Sequence, residues 1–440
     1  MKLYNTQTRK IDTFTPLHDK HVGMYTCGPT VYDRAHIGNM RTYLMTDLLV
    51  RTLRFLGYDV THVMNITDID DKTINRAAEE GISLSELTQR YEELFFRDLA
   101  RLKIELPDVT PRATEHFPEM KQLLNQLVEK GAAYEKNGEV YFDISKFKDY
   151  GKLSLLDKRE IKPGARVAVD EYGKDDVNDF VLWKVDDITK THDNELTKSS
   201  GRPGWHLECS AMSMKYLGPT LDIHAGGTDL LFPHHENEIA QSEAATEKPF
   251  ARYFVHGEFL TVEGKKMSKS LGNMYTMQEI IEQGVDPLAF RYLILTTHYR
   301  SKLNFTWDSL EAASRALEGV RQLAFRDTEK EDLQKQHVLE QGYDALNNDL
   351  DFPKLLALLH QTGDYSLWLA FEPVLGLGLT EKATEISTEI QDLLKQRDEA
   401  RRNGDYAQAD QYRVTIATKG YAIEDLPDGT QRLLPKLLDK

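Results

Sequence analysis

The side chains best suited to binding a metal ion lie far apart along the chain. Cys27 and Cys209 are the two cysteines of the 440-residue sequence, and His234 and Glu238 are four residues apart. On a helix, a spacing of four places both side chains on one face. Two thiolates, an imidazole and a carboxylate are ligands typical of zinc. The alternative is two buried apolar thiols and an exposed helical pair, and sequence spacing alone leaves both open.

A second candidate site is the segment His36-Ile37-Gly38-Asn39, which lies between a predicted strand and a predicted helix. The N–H groups and the dipole of a helix N-terminus favour phosphate. Gly38 would let a nucleotide approach the backbone closely, and His36 is placed to donate a hydrogen bond to phosphate oxygens. Taken alone, the segment is equally explained as an ordinary turn into a helix.

The third candidate is a lysine-rich loop, residues 265–270 (KKMSKS), between Gly264 and Gly272. Such a loop is either a solvated basic turn or a clamp that closes on a triphosphate. A clamp would neutralise the charge that develops on the α-phosphate and on the leaving pyrophosphate.

In this order, and about 230 residues apart, the two segments resemble the two motifs of class I aminoacyl-tRNA synthetases. The first differs at Asn39, where the family more often has histidine, and the second matches without change. Four further stretches resemble the cysteinyl-tRNA synthetase family: TCGPTVY at 26–32, NITDIDDK at 65–72, RPGWHLECSAM at 202–212 and DIHAGGTDLLFPHHENE at 222–238. The resemblance is close from about residue 1 to 300, looser to 385, and close again at 397–413 and 422–429.

The resemblance implies an enzyme that activates L-cysteine with ATP and transfers the cysteinyl group to the 3′ end of tRNA(Cys). It implies one zinc ion per chain and magnesium that accompanies ATP. The implied zinc ligands are Cys27, Cys209, His234 and Glu238. The implied ATP-binding residues are His36, Gly38, Asn39, Lys266 and Lys269, of which His36, Lys266 and Lys269 are expected to be catalytic.

Zinc offers a physical reason for selecting cysteine. Cysteine and serine are near-isosteres, and a cavity alone separates such pairs by only about 1–3 kcal/mol. A thiol loses its proton more easily than an alcohol, and its softer sulfur suits the metal. We therefore hypothesise direct zinc–sulfur coordination of the substrate. For the rest of the pocket we expect Trp205 as a wall, Gly28 and Thr67 near the amino or carboxylate group, and His224 as a lining residue.

The elements that must position these residues begin with a strand at 21–26, a helix and a strand at 58–65. Leu44, Leu48, Leu49 and Leu53 form the apolar face of the helix, which Gly57 ends. A strand–helix–strand unit of this kind is right-handed with parallel strands. Ligands bind at the carboxyl ends of such strands, which is where Cys27 and His36 lie.

The sequence predicts an α/β protein with a Rossmann-type parallel-sheet catalytic domain split by an insertion. Further helices are predicted at 207–217 and 234–245, strands at 221–225 and 251–259, a surface loop at 186–204, and almost continuous helix from 277 to 418. The predicted regions are 1–115 and 201–260 for the two catalytic halves, 116–200 for the insertion, 261–305 for the lysine loop and linking helices, 306–385 for a helical bundle that binds tRNA, and 386–440 for anticodon recognition.

Composition excludes several classes of protein. A net charge of −16 with 40% hydrophobic residues is ordinary for a globular chain and argues against a disordered chain or a general nucleic-acid coat. A local basic groove for a specific RNA remains compatible with that charge. The first ten residues contain no apolar run, and the apolar stretch 366–379 is interrupted by Glu372 and Pro373. We therefore expect a cytoplasmic monomer without a membrane segment.

Five cations on a predicted helical hairpin are candidates for contact with the anticodon end of tRNA: Lys395, Arg397, Arg401, Arg402 and Arg413. Interleaved acidic residues also allow a solvated, salt-bridged helix pair. Two regions depart from the family pattern: residues 186–200, and the region 310–385, which is shorter than usual. Both departures bear on how tRNA docks.

Two other functions share parts of this pattern. A cysteine:amino-sugar ligase of mycothiol biosynthesis would use the same zinc and adenylate chemistry without needing residues 386–440. A catalytically silent, RNA-binding relative is the other alternative, and the intact His36, Lys266, Lys269 and metal ligands argue against it.

Overall fold

A computed structural model describes residues 1–156, 166–167, 178–185, 193–194, 199–268, 271–324, 332–380, 388–419, 421–425 and 431–435. Lys269 and most of the predicted surface loop at 186–204 lie outside the described residues. The strands are β1 (Lys2–Asn5), β2 (Lys10–Thr13), β3 (His21–Thr26), β4 (Asp59–Met64), β5 (Ala133–Lys136), β6 (Glu139–Phe142), β7 (Arg166–Val167), β8 (Asp179–Val185), β9 (Asp193–Asn194), β10 (Ser199–Pro203), β11 (Leu221–Gly227), β12 (Ala251–Gly257), β13 (Leu260–Val262), β14 (Lys265–Lys266), β15 (Leu303–Phe305), β16 (Tyr421–Asp425) and β17 (Gln431–Pro435).

The helices connect and cover these strands. They are α1 (Ile37–Phe55), α2 (Asp71–Glu80), α3 (Leu84–Arg101), α4 (Phe117–Glu129), α5 (Trp205–Leu217), α6 (Glu236–Thr246), α7 (Met277–Glu282), α8 (Pro287–Leu295), α9 (Trp307–Leu323), α10 (Asp332–Asn347), α11 (Phe352–Thr362), α12 (Tyr365–Leu375), α13 (Thr388–Arg402) and α14 (Tyr406–Thr418). Among the described helices none is long and apolar enough to cross a membrane.

A four-stranded parallel sheet positions the chemistry-bearing residues. Its order is β12-β11-β3-β4, and every neighbouring pair is parallel. Helix α1 connects β3 to β4, so the predicted strand–helix–strand unit is confirmed, as is the α/β fold. Strand β4, which follows β3 along the chain, lies on one side of β3. Strands β11 and β12, which come later in the chain, lie on its other side. The crevice beside the carboxyl ends of β3 and β11 is therefore the expected place for a ligand.

Helix α1 covers this sheet with a wide apolar face. Leu44, Leu49 and Leu53 are fully buried. The helix ends at Phe55 with Leu56 as its C-cap, and Gly57 then adopts a φ of +87°, a conformation that favours glycine. The end predicted from Gly57 is thus confirmed.

The insertion forms an antiparallel sheet of its own, in the order β5-β6-β8-β10-β9. Strand β10 corrects the prediction of a surface loop at 186–204, because Gly201–Pro203 pair with Trp183–Val185 of β8. Backbone pairing of this kind needs no apolar side chains, so the polar sequence gave no strand signal. Gly201 lies so close to Trp183 that a Cβ atom there would be 2.4 Å from the indole nitrogen.

Two further predictions need correction. The region 277–418 is not continuously helical, since Leu303–Phe305 form β15, which runs parallel to β13. Three residues are too few to show a strand periodicity. The predicted helix at 234–245 begins at Glu236 instead, and His234 and His235 lie in a π-helical turn, Leu231–His235, that precedes it.

The chain divides into two compact units. One contains residues 1–278, 297–305 and 346–350, and the other contains 279–296, 306–345 and 351–440. The second unit is mainly helical, with Trp368 and Phe371 fully buried in its core. In that unit the Glu372 carboxylate accepts hydrogen bonds from the N–H groups of Leu377, Gly378 and Leu379 after the end of α12.

Candidate active site and metal centre

Cys27, Cys209, His234 and Glu238 converge on one point at the carboxyl end of the parallel sheet. One ligand atom from each lies within 4.8 Å of the others, and all four residues are buried. Cys27 follows β3 directly, Cys209 lies on α5, His234 lies in the turn before α6, and Glu238 lies on α6. The four residues predicted as metal ligands are thus brought together, and their donor set fits a metal ion.

Electrostatics prepare part of this cluster for a cation. Burial acts to raise the pKa of the Cys209 thiol, but its hydrogen bond with Cys27 and the nearby His234 outweigh burial and bring the pKa to about 6. Burial likewise acts to raise the pKa of Glu238, yet the imidazoles of His224 and His234 hold it well below its usual range. A thiolate and a carboxylate therefore lie together away from water. Such buried negative charge is stabilised by a bound cation.

His234 is oriented by three neighbours. Its Nε2 atom lies 2.8 Å from Glu238 Oε1, and its Nδ1 atom lies 2.8 Å from His206 Nδ1. The indole of Trp205 stacks on the imidazole, with ring centroids 3.9 Å apart. The pKa of His234 is lowered by burial and raised by Glu238 and Cys209, with a net rise to about 10.

A second group of histidines lies on the far side of the same ligands. His224 on β11 contacts Glu238 Oε2 at 2.6 Å, and His235 Nε2 lies 3.5 Å from Cys27 Sγ. His235 in turn contacts His256 at 2.8 Å. His224 and His235 can replace Cys209 and His234 as partners of Cys27 and Glu238 in an alternative four-ligand group. The sequence predicted His224 as a lining residue of the pocket and provided no basis for the alternative group.

Asn65 is a positioning residue that the sequence reasoning missed. Its side-chain oxygen accepts a hydrogen bond from the Gly28 N–H at 2.9 Å and lies 3.6 Å from Cys209 Sγ. Its amide nitrogen donates to Thr67 Oγ1 at 3.1 Å, and Thr67 donates to Glu208 Oε2 at 2.9 Å. An asparagine at the carboxyl end of the predicted strand 58–65 is the signal that was available.

The metal cluster opens into a cavity of about 310 Å³. Cys27, Gly28 and Trp205 line this cavity, and so do His36 and Asn39. Lys72 also lines it and lies 5.6 Å from the centre of the Tyr32 ring. Of the predicted pocket residues, Gly28 and Trp205 line this cavity. His224 instead contacts the candidate ligand Glu238, and Thr67 contacts Asn65.

A neighbouring cavity of about 390 Å³ shares four lining residues with the first: His36, Asn39, Thr42 and Asp229. Its other walls include Gly38, Phe259, Lys266 and Met267. A molecule with an amino-acid end and a nucleotide end would fit across both cavities, with its junction at His36 and Asn39. Asp229 lies at that junction, and the sequence analysis gave it no role.

His36 and Asn39 form the N-terminal cap of α1. The Asn39 N–H donates to His36 Nδ1 at 3.2 Å, and the His36 N–H donates to Asn39 Oδ1 at 3.1 Å. This capping box occupies the N–H of Asn39, so that group is not available to phosphate.

Replacing His36 tests the capping role of that side chain. His36→Ala removes the cap, and we expect it to lower the free energy of unfolding by about 1 kcal/mol. His36→Asn keeps a side-chain acceptor at the cap and should unfold like the unmodified chain. Urea unfolding monitored by circular dichroism measures both, and equal stability of His36→Ala and His36→Asn would contradict the capping role.

Comparison with known proteins gives the same family along the whole chain. Residues 13–315 match the family described as tRNA synthetases class I (C) catalytic domain, and residues 383–432 match the cysteinyl-tRNA ligase anticodon binding domain. Cysteine--tRNA ligase of Chlamydia felis is 44% identical over 97% of this chain and 96% of its own. Cysteine--tRNA ligase of Methanosarcina mazei is 43% identical over 98% of both chains.

Solved structures agree on the fold. Mycobacterium tuberculosis methionyl-tRNA synthetase, in complex with methionyl-adenylate, aligns with a TM-score of 0.57 at 15% identity and covers 90% of this chain and 89% of its own. The Agrobacterium radiobacter leucyl enzyme, in a ternary complex with tRNA, aligns with a TM-score of 0.56 at 12% identity and covers 83% of each chain. The parallel sheet, the converging ligands and these matches lead to one conclusion: the chain belongs to the cysteinyl-tRNA synthetase family of class I.

Proposed function

We propose that this protein is a cysteine–tRNA ligase that converts L-cysteine and ATP to cysteinyl-adenylate and then charges tRNA(Cys). The observation that carries the proposal is the convergence of Cys27, Cys209, His234 and Glu238 beside a cavity that continues to His36 and Lys266. A thiol-recognising centre and a nucleotide-binding region therefore share one crevice.

We assign the metal as zinc on the chemistry of the donors. Two sulfurs, one imidazole nitrogen and one carboxylate suit zinc better than magnesium or calcium, which prefer oxygen ligands. Bound there, zinc would supply a soft Lewis acid that favours the thiolate of cysteine over the alcohol of serine. The chain's own part is to hold these donors together, with His206 and Trp205 fixing His234 and with His224 fixing Glu238.

The cavity walls suggest how the substrate is oriented. Trp205 forms the wall next to the metal ligands, and Gly28 leaves the backbone open to the amino-acid end. Thr67 and His224 support this end indirectly, through Asn65 and Glu238. Positioning of this kind brings the cysteine carboxylate toward the α-phosphate, and little covalent participation by the protein is required.

The ATP end of the crevice is assigned to residues around the start of α1 and the lysine loop. His36, Gly38, Asn39 and Lys266 all line the second cavity. We propose that Lys266, together with Lys269, stabilises charge on the phosphates in the transition state. Magnesium is proposed as an ion carried by the ATP phosphates.

The C-terminal helices are proposed to contact the anticodon end of tRNA. Three of the five predicted cations serve the fold itself. Arg397 donates two hydrogen bonds to Asp425, at 3.0 and 2.9 Å, and Arg413 donates to the Ile423 carbonyl at 3.2 Å. Arg401 also bonds to Asp425. Lys395 and Arg402 are exposed, so we place RNA contact on them first.

The activity is tested by cysteine-dependent ATP–pyrophosphate exchange, with and without a zinc chelator, followed by charging of tRNA(Cys). We expect exchange that the chelator abolishes and that added zinc restores. Exchange without tRNA charging would favour the amino-sugar ligase alternative. No exchange with a fully folded protein would reject the proposed function.

A lysine pair on β14 provides a matched test of transition-state stabilisation. Lys266 lines the nucleotide cavity, whereas its neighbour Lys265 is equally exposed and does not line it. We expect Lys266→Ala to reduce the rate of adenylate formation by about a hundredfold. The KM for cysteine should stay the same, because the amino-acid end is untouched.

Lys265→Ala is the control and should retain the unmodified rate. Pre-steady-state measurement of pyrophosphate release compares the variants. Equal losses in both would mean that only the general charge of the loop matters, and the specific role of Lys266 would be rejected.

A further inference from the structure

The turn before β15 brings a further lysine to the nucleotide cavity. Lys302 lines the same cavity as Lys266, Met267 and Gly38. It lies outside every stretch that the sequence analysis singled out. Its side chain is exposed, and no ion pair within the described parts of the chain involves it.

The backbone around Lys302 is held in place from several sides. The Glu258 N–H donates to the Tyr299 carbonyl at 2.8 Å, and the Leu303 N–H donates to the Phe259 carbonyl at 3.3 Å. Arg41 of α1 bonds to the carbonyls of Phe259 and Ser301. The position of the turn relative to the start of α1 is therefore fixed by direct hydrogen bonds.

A buried carboxylate fixes the same turn from its other side. Asp349 is 2% exposed and accepts hydrogen bonds from the Tyr299 hydroxyl at 2.6 Å and from Arg300 Nε at 2.8 Å. The guanidinium of Arg300 also lies over the Tyr4 ring, 4.5 Å from its centre. Tyr299 and Arg300 thus hold the turn in place, whereas Lys302 lines the cavity.

Sheet register places Lys302 and Lys266 on opposite flanks of the cavity. Strand β13 lies between β14, which carries Lys266, and β15, which follows Lys302. Leu260 pairs with Leu303, and Thr261 pairs with both Asn304 and Lys266. The flexible stem of a lysine can lie along apolar neighbours such as Phe259 and Leu260 while its ammonium group reaches into the cavity.

The charge of the cavity explains why a second lysine would be useful. Asp229 and Glu258 also line it, so Lys266 alone leaves its fixed side-chain charge negative. A polyphosphate is strongly anionic, and it binds well only where cations offset its charge. With Lys302 included, two lysines match the two carboxylates that line the cavity, even before the magnesium that accompanies ATP is considered.

We propose that Lys302 is an ATP-binding residue that contacts the polyphosphate from the flank opposite Lys266. This inference rests on the proposed function and adds to it a contact that does not belong to either motif. The interaction is with phosphate charge, so it should weaken with salt and should be absent for a nucleoside without phosphates.

The test compares Lys302→Ala, Lys302→Arg and the Lys265→Ala control in cysteine-dependent ATP–pyrophosphate exchange. We expect Lys302→Ala to raise the KM for ATP by about fivefold at low salt, with less effect at high salt, because partly exposed ion pairs are modest and screened. The KM for cysteine should not change, and Lys302→Arg should restore the KM for ATP. The inhibition constant of adenosine should be the same in all variants.

The outcomes separate the inference from the function on which it rests. An unmodified protein without exchange activity rejects the function. An active unmodified protein whose KM for ATP is unaffected by Lys302→Ala overturns the inference alone. A weaker inhibition constant for adenosine in Lys302→Ala would also overturn it, since the contact would then be to the nucleoside.

Discussion

Cys209→Ser is expected to lose the bound zinc and to reduce cysteine-dependent ATP–pyrophosphate exchange by about a thousandfold. The substitution exchanges one buried atom for a slightly smaller one and so keeps the shape of α5. It removes the group whose pKa is brought to about 6 by Cys27 and His234, against the effect of burial. A serine hydroxyl does not ionise in this range and is a poor ligand for a soft metal.

Ser213→Ala is the matched control for this experiment. Ser213 lies four residues further along α5, is fully buried, and donates a hydrogen bond to the Ser210 carbonyl at 3.2 Å. Elemental analysis should give one zinc per chain for the unmodified protein and for Ser213→Ala, and little for Cys209→Ser. Thermal unfolding of the variants with metal removed checks that both are folded. A folded Cys209→Ser that retains zinc and full exchange would show that Cys209 is not a required ligand, and the alternative group of Cys27, His224, His235 and Glu238 would then be favoured.

The metal ligands could be predicted because their residue types are rare and specific. With two cysteines in 440 residues, each has few possible roles, and the motif resemblance selected one of them. The distances between the ligands could not be predicted, because they depend on the reversal of strand order between β3 and β11. Neither strand reveals its neighbour in its own sequence, since parallel strands buried on both faces carry similar apolar residues.

The second histidine group shows a different limit of sequence reasoning. His224 and His235 lie among other polar residues of the stretch 222–238, and nothing in their spacing shows that both turn toward Cys27 and Glu238. That arrangement depends on the π-helical turn Leu231–His235, which displaces His234 and His235 from the regular helix. A spacing of four residues on a helix correctly predicted that His234 and Glu238 lie together. The structure brings them together through the π-helical turn, which the spacing did not predict.

Short strands were missed for a simpler reason. Strands β10 and β15 are held by backbone pairing to β8 and β13, and their side chains do not alternate between apolar and polar over enough residues. Missing β15 matters for function, because Lys302 directly precedes this strand and lines the nucleotide cavity. A lysine at that position has no sequence signal until the strand beside it is known.

We expect Gly28→Ala to disrupt the candidate metal site, because its Cβ atom would clash with main-chain atoms. A Cβ atom at Gly28 would lie 1.6 Å from the carbonyl oxygen of Asn65, and 2.8 Å from the carbonyl carbon. Both atoms belong to the main chain directly after β4, so neither can move without disturbing the strand. The loop after β3 must shift instead, and with it the adjacent ligand Cys27.

We expect this substitution to lower the free energy of unfolding by about 3 kcal/mol, as overpacking in a rigid region does, and to prevent stable zinc binding. Gly38→Ala offers an informative contrast, because the Cβ atom there would meet Met267 Cε at 2.1 Å, at the end of a flexible side chain. That variant should keep its zinc and its stability and show a higher KM for ATP.

Gly319→Ala is the neutral control, since a Cβ atom at that position in α9 has nothing within 4 Å. Alanine is the better helix former by about 1 kcal/mol, so this variant should be slightly more stable and fully active. Denaturant unfolding, zinc content and exchange kinetics are compared for the three variants. If Gly28→Ala retained one zinc per chain and normal stability, the loop after β3 would have to be free to move away from Asn65, and Cys27 could not be a fixed ligand of the metal.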